Sequence, residues 1–205
     1  MPSFNSLLYI IEGGVFQRNR RNGELMELPA REILQQSSIE LFQLTDDLVT
    51  DSYVRWVNDP RVNRFLVNRF NTHNKETIRE FVRDCVTCPN TLLLGIRSLE
   101  LGGCHVGNIK LGLIDHHHGL GDVGIMLGEP GSWGRGIGSE AIRLICDIAD
   151  RNLGLRKITS GCFASNVYSQ KAFRRAGFEV EGLRRAHFIC DGQPEDLVLM
   201  ARWLR

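Results

Sequence analysis

The sequence predicts an α+β fold, a mixed and mostly antiparallel central sheet flanked by helices, and three observations carry that expectation. Three runs rich in aliphatic and β-branched residues, TLLLGIRSL, CHVGNIKLGLID and DVGIMLG, follow one another across short turns, as an antiparallel meander does. A glycine-rich stretch, GSWGRGIGSEAI, then runs straight into an amphipathic helix. Strands and helices do not alternate regularly along the chain, which argues against a doubly wound parallel sheet.

Residues 1–38 mix charge, Asn, Gly and Pro without a sustained period, and are expected to form a partly ordered extension with a short helix near Leu28 to Gln36. The domain proper covers residues 39–205 and starts with the strand IELFQLT. Thr45, followed by Asp46 and Asp47, is expected to open a helix through LVTDSYVRWVN that Asp59-Pro60 ends. Thr77 is expected to cap a second helix, whose Ile78, Phe81, Val82 and Cys85 keep helical spacing up to Pro89. After the meander, the helix beyond the glycine loop turns Ile137, Ala141, Leu144, Ile145 and Ile148 inward. Its Glu140, Arg143, Asp147 and Asp150 face water, and Asn152 to Gly154 stops it. RKITSGCFA reads as a strand and NVYSQKAFRRAGF as a short helix closed by Gly177. FEVEGLRRAHFI and DLVLMARWL close the fold as a pair of strands around Asp191-Gly192.

A chain of 205 residues is long enough to bury a core as one domain without disulfide or metal staples. With Lys+Arg 25 against Asp+Glu 24 the formal charge is +1, so no positive field gathers nucleic acid or an anionic membrane, and any anion is caught locally. The six cysteines stand mostly isolated in apolar runs, as reduced buried thiols do. No apolar run reaches the roughly 18–20 residues that span a bilayer. The start, MPSFNSLLYIIEGGVFQ, lacks a basic leader and a small-residue cleavage pattern. A soluble cytoplasmic protein is expected.

Gly134, Gly136 and Gly138 permit backbone angles closed to other residues, so successive N–H groups can turn inward at a helix start and form a pyrophosphate cradle. The helix dipole adds roughly half a positive charge there, and Arg135 a whole one. The competing reading is a turn that merely lets a strand pack closely on a helix. The chain has no GxxxxGK[ST], and Ser139 occupies the third-glycine position of a dinucleotide-binding G-x-G-x-x-G.

The loop resembles the signature of the GNAT superfamily of N-acetyltransferases, Q/R-x-x-G-x-G/A at a helix start after a strand that binds pantetheine through its backbone. Trp133 takes the Q/R position, Gly136 and Gly138 the two small ones, and Met126-Leu127 the end of the pantetheine strand. WGRGIGSEA is similar to the W-G-x-G-x-A/G-x-E-A of the RimJ/RimL-like subgroup. A second element, NVYSQKAFRRAGFEVEG, matches that subgroup's pattern at Asn166, Ser169, Gly177, Phe178, Glu181 and Gly182. The resemblance covers residues 39–205 and implies a GNAT-like sheet with acetyl-CoA as co-substrate. It assigns cofactor binding to Met126, Leu127, Gly134, Arg135, Gly136, Ile137, Gly138, Ser139 and Asn166.

Acetyl transfer needs a neutral amine, a stabilised oxyanion and a protonated leaving thiolate. Many GNAT relatives protonate the thiolate with a tyrosine seven residues after the Asn166 position, but Phe173 stands there. The RimL-like branch implies Ser169 instead, with Tyr168 in reserve; Ser169 also reads as an ordinary residue of a helix N-terminus. The glutamate some relatives carry before the Asn166 position is replaced by Gly161. Asp122, at the mouth of the pantetheine strand, and His187 are then the candidate bases; an exposed turn aspartate and a solvent-facing strand histidine are the alternatives.

DHHHGLGD and Cys85-Val-Thr-Cys88 lack partners at zinc spacing, so no metal is expected. The acceptor lies between the amine of a nucleotide-linked amino sugar and a protein N-terminus. The first is favoured by Asn108 and Lys110 on one strand face, while Arg55, Arg61, Arg64 and Arg69 disfavour a polycationic acceptor. A homodimer is admitted, neither nucleic acid nor membrane is expected as a partner, and a non-catalytic acyl-CoA-binding module is the competing class.

Overall fold

A computed structural model describes Gln35, Gln36 and residues 38–204. These form one eight-stranded sheet in the order β1-β2-β3-β4-β5-β6-β8-β7. Strands β1 (Gln35–Gln36), β2 (Ile39–Gln43), β3 (Leu92–Ser98), β4 (Cys104–Asp115) and β5 (Leu120–Leu127) run antiparallel in succession. β6 (Lys157–Phe163) lies parallel to β5 after a helical crossover, and β8 (Gln193–Trp203) sits between β6 and β7 (Glu179–Cys190). The α+β architecture is the one expected from the pattern of runs.

The helices cover both faces. On one face, α4 (Ile137–Arg151) and α5 (Val167–Arg175) bury a core that includes Ile109, Leu111, Val123, Ile142, Ile145, Ile158 and Phe173. On the other, α1 (Asp51–Asn58) and α3 (Lys75–Thr87) bury Phe42, Tyr53, Trp56, Ile78, Val82 and Leu93. The expected inward set of α4 is buried in full, because a 3.6-residue period keeps those positions on one stripe.

Three helix starts differ from expectation. Thr45 precedes only a three-residue 3-10 turn and its side chain caps nothing, whereas Thr50 accepts from Tyr53 N–H and starts α1. Asp59-Pro60 ends α1 but also begins α2 (Pro60–Asn63), since proline suits the first helical position and Asp59 accepts from Arg61 N–H. Asn74 caps α3, and Thr77 is its reciprocal partner in a capping box. Gln35 and Gln36, the end of the expected helix near Leu28, pair with β2 as a strand. The rest of that span lies outside the described residues.

Candidate active site

The ladder between β5 and β6 joins only Leu120–Asp122 to Lys157–Thr159, yet β5 continues to Leu127 and β6 to Phe163. The two strands part beyond Asp122 and leave one edge of β5 without a paired strand among the described residues. Gly128 N–H bonds back to Val106 O, and Gly121 O accepts from Thr159 on the far side. Alternation along the strand therefore turns the backbone groups of Ile125 and Leu127 to the open edge and those of Met126 toward Asn108 in β4. The first turn of α4 closes on this gap: a Cβ on Gly138 would lie 3.6 Å from Leu127 and 3.8 Å from Ala172 of α5.

Trp133 donates its indole N–H to Leu127 O at 2.9 Å, occupying the last carbonyl of that edge. Gly134 and Gly136 then adopt φ of +76° and +85°, which L side chains disfavour. The first helical bond of α4 runs from Glu140 N–H to Gly136 O, so the amides of residues 134–139 have no backbone acceptor among the described residues. Six successive donors at a helix N-terminus are the kind of arrangement that can bind an anion. Arg135 is exposed and folds over the loop through Nε to Gly131 O at 2.8 Å. Ser139 is buried with its hydroxyl donating to Gly136 O, so it offers the loop an amide and not a hydroxyl donor. Ile137 is buried in the core and likewise contributes only its main chain.

Across the gap, Asn166 caps α5 by accepting from Ser169 N–H at 3.1 Å through Oδ1, and its side-chain NH₂ makes no hydrogen bond among the described residues. Ser169 is half-buried, with Oγ 3.4 Å from the Cys162 sulfur; burial pushes the Cys162 thiol up to about 11. Ser169 lies one turn before Ala172, on the face of α5 that meets Gly138. Tyr168 points outward at 82% exposure. Phe173 is 2% exposed and packs edge-on against Phe178 at 5.0 Å, a place where a hydroxyl would have no water.

Asp122 stands at the fork where β5 and β6 part. Its carboxylate accepts from Thr159 Oγ1 at 2.8 Å, and burial raises it to about 6 against the opposing pull of that hydrogen bond and of the Lys110 charge. His187 is exposed in a bulged section of β7, its ring edge-on to Phe188 at 4.5 Å. Asp122 thus stands at the closed end of the gap between β5 and β6, while the first turns of α4 and α5 meet the strand further along, where Gly138 lies against Leu127 and Ala172. Thr159 escaped the sequence reading, because only the register opposes it to Asp122.

An open depression of about 520 Å³ lies between α2 with its following loop and the β7–β8 turn, lined by Arg64, Arg69, Phe70, Asn71, Thr72 and Asp191 among others. Arg64 pairs with Asp191 at 2.7 Å, and Arg69 donates to Ile189 O. Asn108, expected to face an acceptor, is instead 5% exposed. Its Oδ1 meets His105 Nε2 at 2.9 Å, and its packing under α1 removes it from solvent. His116 to His118 form an exposed turn in which Asp115 accepts from the His117 and His118 amides. Cys85 is buried and Cys88 exposed. No helix among the described residues is long and apolar enough to cross a membrane.

The chain is similar to known proteins in sequence and in shape. It is 37% identical over 68 residues to a probable N-acetyltransferase, YjcK, of Bacillus subtilis (strain 168), covering 33% of this chain and 38% of that protein. The match thus spans less than two thirds of that relative's length. It is 25% identical over 162 residues to the human alpha/beta-tubulin-N-acetyltransferase 9, covering 75% of this chain and 78% of that one. The solved structure of RimL, the ribosomal L7/L12 alpha-N-protein acetyltransferase in complex with coenzyme A, superposes with a TM-score of 0.73 at 18% identity, covering 82% and 95% of the two chains. A family model described as the acetyltransferase (GNAT) domain matches residues 39–179, from the start of β2 through the glycine loop to the start of β7. A match of that extent, taking in both the parted strands and the loop between them, means that this chain belongs to the GNAT acetyltransferase family.

Proposed function

We propose that the protein is an acetyl-CoA-dependent N-acetyltransferase of the RimJ/RimL-like branch, acting on a primary amine. The observation that carries this reading is the run of amides at residues 134–139 with no backbone acceptor among the described residues, beside the edge of β5 from which β6 parts. Acetyl-CoA supplies the activated acetyl group. The loop amides and Arg135 hold its diphosphate. The free edge of Ile125 and Leu127 takes the pantetheine arm as an added strand, with the Asn166 side-chain NH₂ as a further donor, and the Leu127 N–H receives the developing oxyanion. Asp122 accepts the amine proton through water, and Ser169 protonates the leaving thiolate. His187 is the second candidate base.

An acceptor whose amine titrates near 8 suits a base of this strength better than a lysine amine near about 10.4. The favoured acceptor is an amino sugar linked to a nucleotide. Two guanidinium groups against one carboxylate, with an exposed Phe70 ring, support an anionic, ring-bearing molecule in the depression beside α2. A protein N-terminal amine is the second reading, favoured by the likeness to the tubulin and ribosomal-protein enzymes.

Single-turnover thiol release from acetyl-CoA, with a nucleotide-linked amino sugar, an N-terminal peptide and no acceptor, tests both. Release only with the sugar supports the first reading and release only with the peptide the second. Tight CoA binding without release in any arm identifies an acyl-CoA-binding module instead.

A further inference from the structure

We propose that Lys110 is the charge partner that keeps Asp122 competent as a proton acceptor, and that the bare backbone of Gly112 lets its ammonium lie against the carboxylate's side of the sheet. This rests on the reading of Asp122 as the base. In the β4–β5 ladder Gly112 pairs with Asp122 and Lys110 with Gly124. On the face under α1 and α3, each charged residue therefore stands opposite a glycine, and the two are diagonal neighbours with no side chain between them. A Cβ on Gly112 would lie 3.3 Å from Lys110 Cε and 3.8 Å from Nζ. The lysine stem is thus laid along its own strand toward the residue opposite Asp122. Phe81 of α3 covers it, with Nζ 5.9 Å from the ring centroid.

A half-buried ammonium with no carboxylate within salt-bridge distance among the described residues has a local cost in desolvation. Its field on Asp122 gives that placement a use. Around Asp122, β4 presents Lys110, β6 presents Thr159 and the Cys162 thiol, and α3 presents Cys85 beside Lys110. Burial pushes both thiols to about 11, so neither changes charge where Asp122 titrates. Lys110 is then the charge whose removal the carboxylate should feel.

Two readouts test this, the carboxyl ¹³C titration of Asp122 by NMR in the CoA-free protein and the acid limb of kcat/KM. Lys110→Met keeps the stem over Phe81 and should raise the Asp122 midpoint by about one pH unit, as loss of a neighbouring cation does. Lys110→Arg should hold it near the wild-type value. Gly112→Ala, which crowds Cε while keeping the charge, should move it part of the way. An unchanged midpoint in Lys110→Met overturns the proposal. A midpoint that moves while the acid limb stays still upholds the charge coupling and removes Asp122 from the reaction, so failure of the base assignment is read separately.

Discussion

Thr159 donates a 2.8 Å hydrogen bond to Asp122 across the last rung of the β5–β6 ladder, so the carboxylate with the raised pKa is held where the two strands part. That bond favours the ionised form, while burial opposes it. The balance places the group's titration at about 6, nearer than an ordinary carboxylate to the pH at which a general base works.

The pH dependence of both rate and stability follows. Asp122 is raised from 3.8 to about 6, so its contribution to stability is present below about pH 3.8 and is lost as pH rises through about 6. Asp122→Asn should raise the melting temperature at pH 8, by the equivalent of about 1–3 kcal/mol, with no gain at pH 4. The same variant should lower kcat/KM by roughly 100-fold or more and abolish the fall in rate below about pH 6. Thermal melts and pH–rate profiles check the two halves; an acid limb that survives in Asp122→Asn assigns the base elsewhere.

The glycine loop yields a binding prediction. A Cβ at Gly136 meets no atom within 4 Å, but its φ of +85° favours glycine or asparagine. Gly136→Asp should weaken CoA binding by about 100-fold or more, because a carboxylate would face the diphosphate. Gly136→Asn should retain most of it. Calorimetric titration of both, with circular dichroism as the folding control, separates charge repulsion from strain, and a Gly136→Asp variant that binds CoA as tightly as the wild type would remove the loop from the cofactor site.

Ser169→Ala should reduce kcat by about 10–100-fold while leaving the affinity for CoA within about twofold. Tyr168→Phe, at an outward-facing position, should leave both unchanged. Rapid-quench measurement of acetyl transfer distinguishes them; loss of rate in the tyrosine variant alone would exchange their roles.

Restoring the familiar tyrosine should not restore an acid. Phe173→Tyr sets a hydroxyl into the packing against Phe178, and should cost about 1–3 kcal/mol in urea unfolding without raising turnover. A faster enzyme would mean that the helix can turn that side chain toward the cleft.

Arg69 reaches across the depression to Ile189 O and packs on Phe70 with its guanidinium 4.5 Å from the ring centroid. Arg69→Met should raise KM for a nucleotide-linked amino sugar about tenfold, through loss of a charge-assisted contact, and leave KM for a neutral peptide unchanged. Steady-state kinetics with the two acceptors reads the difference.

Much of the fold was legible in local pattern. The inward stripe of α4, the meander of β3 to β5 and the turn at Asp191-Gly192 depend on period and turn chemistry within a few residues of one another. Helix starts were less legible: Thr45 and Thr50 offer the same hydroxyl, and only the path of the chain decides which one meets a free amide. The glycine loop was readable because backbone freedom is written in residue type. Which amides face the cleft was not, since Met126 and Leu127 are adjacent in sequence and opposite in direction once β4 claims one edge. The pairing of Asp122 with Thr159, the approach of Lys110 over Gly112 and the burial of Asn108 all depend on strand register and on helices packed from above. Sequence alone therefore determined most of the elements, the family and the glycine-rich turn at the start of α4. Tertiary structure decided which polar groups lose water and which charges share that dry space, because desolvation and Coulomb attraction act through distances that chain order does not encode.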